Sequence, residues 1–150
     1  MQISPYLNFT GNCAEAFAFY EQCLGGKIVF VQKYGDSPAA GEVPPGWADA
    51  VLHVRLEVGN FAILGSDAPP QHYHKPEGMM VSINVRSAAD GERIFNQLSD
   101  KGTATMPFQK TFWSPGFGMA VDRFGIPWMV NSEKARMELD KMENCQAAVG

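Results

Sequence analysis

One pattern constrains this chain more than any other: a strand, a helix and three further strands are written twice in tandem. The first pass reads as strands at 3–9, 27–34, 50–58 and 61–64, with a helix over 12–24. The second reads as strands at 79–85, 103–112, 118–121 and 126–130, with a helix opening at Ser87. The halves share an anchor. Val58-Gly59-Asn60-Phe61-Ala62-Ile63 and Phe124-Gly125-Ile126-Pro127-Trp128-Met129 both set a hairpin glycine before an apolar strand. A βαβββ unit with one helix has cover for only one face of its sheet. Two such units therefore predict an α+β fold of tandem βαβββ modules, with cupped mixed sheets, helices outside and a concave inner surface.

Local signals set the boundaries. Asn12 with Glu15 has capping-box spacing, and Cys13, Phe17, Tyr20 and Leu24 recur at helical spacing. Gly25-Gly26 stops that helix. Ser87 with Asp90 opens the second helix, whose apolar side is Gly91, Ile94, Phe95 and Leu98. In the strand at 50–58, His53, Arg55 and Glu57 alternate with Leu52, Val54 and Leu56. The modules span about 1–67 and 78–132 of a single domain at 1–133. Residues 133–150 read as a C-terminal helix, capped by Asn131 or Ser132 and running to about Met142, with a frayed tail.

Composition narrows the function classes. A chain of 150 residues with 45% apolar residues can bury a real core. The net charge of −4 disfavours nucleic acid, which rewards a basic face. No apolar run reaches the roughly 20 residues of a membrane helix, and the start lacks the basic-then-apolar order of a signal peptide. Three cysteines, Cys13, Cys23 and Cys145, with no CxxC, fit a reducing cytoplasm.

Two stretches carry a family resemblance. One runs from Ser4-Pro5-Tyr6-Leu7-Asn8-Phe9 through Gly11-Asn12-Cys13-Ala14-Glu15-Ala16 to Phe19-Tyr20 and Leu24-Gly25. The other is Thr111-Phe112-Trp113 with Gly116-Phe117-Gly118, Asp122 and Phe124-Gly125-Ile126-Pro127-Trp128-Met129. Together they resemble the PhnB-like branch, labelled 3-demethylubiquinone-9 3-methyltransferase-like, of the vicinal-oxygen-chelate superfamily. That superfamily includes glyoxalase I, extradiol dioxygenases and the bleomycin- and fosfomycin-resistance proteins. The resemblance implies the glyoxalase-type fold and a homodimer. In metal-using members four ligands come from inward positions on four strands. Spacing from the helices and hairpin glycines maps these to Pro5, Ile63, Met80 and Met129, none of which ligates a divalent metal. No metal and no cofactor is expected.

The implied inner surface is apolar: Leu7, Phe9, Ile63, Met80 and Met129, with Ser82, Asn84 and Asn131 as polar points and Trp113 at the rim. It suits a small apolar or aromatic ligand; the alternative is that these residues fill the core. His53 either faces the cup as an acid–base group or points outward as a structural histidine. Asp67 is a candidate base or a turn residue. His72 and His74 form an HxH that either ligates metal, with His53 as a further ligand, or sits on a solvated loop. Cys13 reads as an inert buried thiol. No glycine-rich loop joins a strand to a helix, so methyltransferase chemistry finds no support. Three readings follow: a metal-free small-molecule binder, a lyase, isomerase or dioxygenase with non-standard ligands, and a non-catalytic assembly module.

Overall fold

In a computed structural model, the structure describes residues 1–133, and the helix expected after Ser132 lies outside them. The elements follow the tandem order: β1 (Tyr6–Phe9), α1 (Cys13–Leu24), β2 (Lys27–Lys33), β3 (Val51–Val58), β4 (Phe61–Asp67), then β5 (Val81–Val85), α2 (Ala88–Ser99), β6 (Thr103–Gln109), β7 (Phe117–Val121) and β8 (Pro127–Ser132). The two sheets have matching strand orders, β1-β4-β3-β2 and β5-β8-β7-β6. In each, the first and last strands pair in parallel and the others antiparallel. No helix among the described residues is long and apolar enough to cross a membrane.

The chain divides into two compact units. The first joins Met1–Gly78 with Phe124–Ile126; the second joins Met79–Arg123 with the residues from Pro127 onward. The short return to the first unit has a packing reason. Phe124 lies 5.7 Å from the Phe19 ring and 6.2 Å from the Tyr20 ring of α1, and Ile126 is buried.

In the first unit α1 covers one face of its sheet with Cys13, Ala16, Phe17, Tyr20 and Cys23. Gly65 marks the covered face, because a Cβ there would meet the Phe17 ring at 2.5 Å. Register partners share a face, so Leu7, opposite Gly65, and Val54, also opposite it, lie under the helix. Gly25 closes α1 at φ 66°, a left-handed backbone where glycine has no Cβ to clash. In the second unit Gly118 lies against Phe95 of α2, and its partner Val130 shares that face.

The helix starts differ from one another, and one differs from expectation. Ser87 is extended at φ −123°, ψ 145°, and its hydroxyl accepts from Asp90 N, as its spacing predicts. Asn12 sits at φ −118°, ψ 18°, and its side chain makes no cap bond. The anion at the start of α1 is Asp67, far along the chain. Its Oδ1 accepts from Gly11 N at 2.7 Å and Cys13 N at 3.0 Å. Its Oδ2 accepts from Val51 N at 2.8 Å.

Candidate functional site

The residues available for binding are those on the sheet faces that the helices leave uncovered. Leu7, Phe9 and Ile63, expected to line such a surface, are instead core beneath α1. A shift of one residue moves a strand's whole apolar set to the other face, and the helix claims the apolar set. Met80 precedes β5 rather than lying in it. Ser82, Asn84, Met129 and Asn131 do lie on the helix-free face of the second sheet, opposite in side to Ile83 and Val130.

On the first sheet the helix-free residues are Tyr6, Asn8, Phe30, Gln32, His53, Arg55, Leu64 and Ser66. His53 is their centre. The Tyr6 ring reaches across β4 to stack on the imidazole, 5.8 Å between centroids and 27° between planes. Tyr6 Oη lies 3.3 Å from His53 Nδ1. The Phe30 ring stands 5.9 Å away on the other side. Two residues along β3, Arg55 Nε donates to Glu57 Oε1 at 2.9 Å. Ser66 Oγ lies 3.3 Å from Asn8 Oδ1. Tyr6, Phe30 and Arg55 escaped the sequence reading as site residues. The alternation of His53, Arg55 and Glu57 carried a signal for β3, but only pairing register brings Tyr6 to it.

On the second sheet the helix-free face is more apolar. Met129 faces Met119, which pairs with Met106, and Phe117 is opposite Asn131. Trp113 meets the Phe117 ring edge-on at 5.3 Å and Phe112 at 4.7 Å. Asn131 Nδ2 donates to Asn84 Oδ1 at 3.1 Å. Asn131 Oδ1 is buried, and among the described residues it has no donor.

The acid–base candidates separate. Both oxygens of Asp67 are occupied by backbone donors, and its carbonyl accepts from Tyr34 Oη at 2.9 Å, so it anchors the fold rather than serving as a base. The Tyr34 phenol is raised by burial, then by Asp67 and Tyr6, which keeps its hydroxyl protonated as that donor. Cys13 is buried. Burial, and secondarily Asp67, push its thiol far above its ordinary value, so the nucleophilic thiolate is disfavoured. Asp122 accepts from Trp128 Nε1 at 2.8 Å inside the second unit.

A divalent cation does not fit the donor set. Among the described residues no group of three or more His, Cys, Asp or Glu side chains could hold one, so His53, His72 and His74 do not assemble a centre. Besides Tyr6, the helix-free faces offer Asn8 and Ser66 on β1 and β4, and Ser82, Asn84 and Asn131 on β5 and β8. These donors are neutral.

The matching topologies of the two sheets are repeated in known proteins. Residues 1–131 match the family model described as 3-demethylubiquinone-9 3-methyltransferase. The chain belongs to that family. Protein YjdN of Escherichia coli (strain K12) is 34% identical over 142 residues, covering 89% of this chain and 97% of that one. The crystal structure of protein PA1353 from Pseudomonas aeruginosa is 47% identical, with a TM-score of 0.82, covering 90% of this chain and 99% of that chain. A fosfomycin resistance protein, FosX, from Listeria monocytogenes shares the fold at 7% identity and a TM-score of 0.61, covering 91% of this chain and 94% of that one.

Proposed function

We propose that the protein binds a small, largely apolar or aromatic molecule on the helix-free faces of its sheets, without a resident metal. The observation that carries this reading is Asn131. A buried carbonyl oxygen with no donor among the described residues is costly, about 1–3 kcal/mol, and such groups call for an explanation. A hydrogen-bond donor on a ligand supplies one. The surroundings favour an apolar body for that ligand, since Met106, Met119 and Met129 adapt their shape to irregular partners.

Asn131→Leu tests the reading by thermal unfolding against a panel of apolar and aromatic compounds bearing N–H or O–H groups. The free variant should unfold at or above the parent temperature, because an unsatisfied oxygen has been removed. The stabilisation by ligand, about 2.7 kcal/mol at a hundred times the dissociation constant, should be lost. Full ligand stabilisation of the variant, or none in the parent across the panel, defeats the reading.

The same reading includes a homodimer in a reducing cytoplasm. The exposed Val29 and Val31 on the edge strand β2 support the dimer, since bare apolar edges invite pairing. The free buried thiol of Cys13 supports the compartment. Light scattering on the parent and on Val29→Lys/Val31→Lys checks the dimer; a parent monomer removes it.

A further inference from the structure

The helix-free face of the first sheet differs in chemistry from a merely apolar one. His53 and Arg55 stand on the same face of β3, about 7 Å apart along the strand. Each has one side engaged and one side free. His53 Nδ1 meets the Tyr6 hydroxyl, and its Nε2 has no partner among the described residues. Arg55 gives Nε to Glu57, and its two terminal nitrogens have no partner among the described residues. Glu57 thus fixes the plane of the guanidinium and leaves its outer fork available. Beside these donors stand two exposed rings. Tyr6 is 47% and Phe30 48% exposed, and they flank the imidazole on opposite sides.

We propose that this face recognises a small aromatic acid, with Arg55 and His53 taking its carboxylate and Tyr6 and Phe30 packing against its ring. The proposal rests on the reading that the helix-free faces bind small molecules, and it names the ligand class. A carboxylate matches the planar guanidinium fork, and a second donor beside the fork fixes its orientation. In the required tautomer Tyr6 Oη–H donates to Nδ1, and Nε2 carries the hydrogen that meets the carboxylate. The ring is held by stacking or edge contact on exposed aromatic surface, which supplies area but little orientation. Direction comes from the charged end. Tyr6 is a positioning residue for His53 as well as a contact for the ring.

The experiment is an NMR titration of the full chain with benzoate and with its neutral isostere benzamide. Benzoate should bind at least tenfold more tightly, with the largest shifts at Tyr6, Phe30, His53 and Arg55. Arg55→Met should bring the two affinities within twofold of each other while leaving benzamide binding in place. His53→Leu should reduce the preference severalfold, and Tyr6→Phe should reduce it less, because the ring remains. Should Arg55→Met fail to fold, Arg55→Met/Glu57→Gln avoids leaving Glu57 unpaired, and the shift pattern in the parent remains decisive. Equal affinities in the parent, or a preference untouched by both Arg55 variants, overturn the aromatic-acid assignment and leave small-molecule binding standing. Binding of neither probe, together with no stabilisation across the ligand panel, overturns both.

Discussion

The two units share one topology and hold it together by different means. At the end of β4 the first unit places a charged side chain, Asp67, on three backbone N–H groups from the start of α1 and the start of β3. At the equivalent end of β8 the second unit places Ser132. There the linking residue is the buried Ser114, whose hydroxyl reaches Gly116 O at 2.7 Å and Ser132 O at 2.8 Å and accepts from Gly116 N. The backbone carbonyl at the two strand ends is treated alike: Tyr34 donates to Asp67 O, and Ser114 donates to Ser132 O. The difference lies in charge and reach. One ionised carboxylate ties three segments of the first unit. Neutral hydroxyls tie neighbouring segments in the second, and α2 keeps its own local cap.

The strongest break of this comparison is Asp67→Ala against Ser114→Ala. Losing the carboxylate leaves three donors without their acceptor, two of them in buried bonds, so a loss of about 4 kcal/mol is expected. Ser114→Ala removes a neutral hydroxyl from a smaller network and should cost about 2 kcal/mol. Urea unfolding followed by hydrogen exchange separates the two. In Asp67→Ala the amides of Gly11, Cys13 and Val51 should exchange first. If the amides of Gly116 and Ser132 lose protection as early, the two anchors are not independent and the contrast fails.

A second test sharpens it through packing. Ala at position 65 would drive a Cβ to within 2.8 Å of two atoms of the Phe17 ring, and that ring is fully buried. At position 118 the closest approach is 2.8 Å to Phe95, with Phe108 backbone at 3.0 Å. Both changes overpack a helix–sheet interface, at about 1–3 kcal/mol each. Gly65→Ala should cost more, and its damage should fall on α1, which Asp67 also fastens. Equal costs would show that α1 shifts as readily as α2.

This contrast also marks how far the sequence could be read. Element order, the α+β class, the Gly25 stop and the Ser87 cap are all visible in residues a few positions apart, because each depends on local backbone geometry. The anchoring by Asp67 is not visible, because its partners sit 16 to 56 residues away in the chain. Facing failed for the same reason. Leu7, Phe9 and Ile63 are apolar on strands, which suits a pocket wall and a helix interface equally; Gly65 against Phe17 decides between them only once the chain is folded. Ser82, Asn84 and Asn131 do lie on the helix-free face, because polar residues on an otherwise apolar strand have no place under a helix. His53 was legible as a candidate, but its partnership with Tyr6 spans 47 residues and one intervening strand.

The smallest effect is the most discriminating about helix starts. Asn12 and Ser87 both satisfy the sequence rule for a cap, followed three residues later by an acid. The connection from β1 to α1 has three residues, 10–12, while that from β5 to α2 has two, 86–87. The longer link leaves Asn12 at ψ 18°, outside the extended geometry from which a cap side chain turns back to the helix amides. Asp67 fills the role from a distance. Ser87→Ala should therefore cost about 1 kcal/mol, with loss of protection at Asp90 N, whereas Asn12→Ala should change stability by no more than about 0.3 kcal/mol. The double variant Asn12→Ala/Asp67→Asn extends the logic. If Asn12 contributes nothing while Asp67 is intact but becomes costly once the carboxylate is gone, the residue is a reserve cap that the long-range anion normally displaces. A cost for Asn12→Ala alone comparable to that of Ser87→Ala would mean that α1 is capped locally after all, and the two halves would start their helices in the same way.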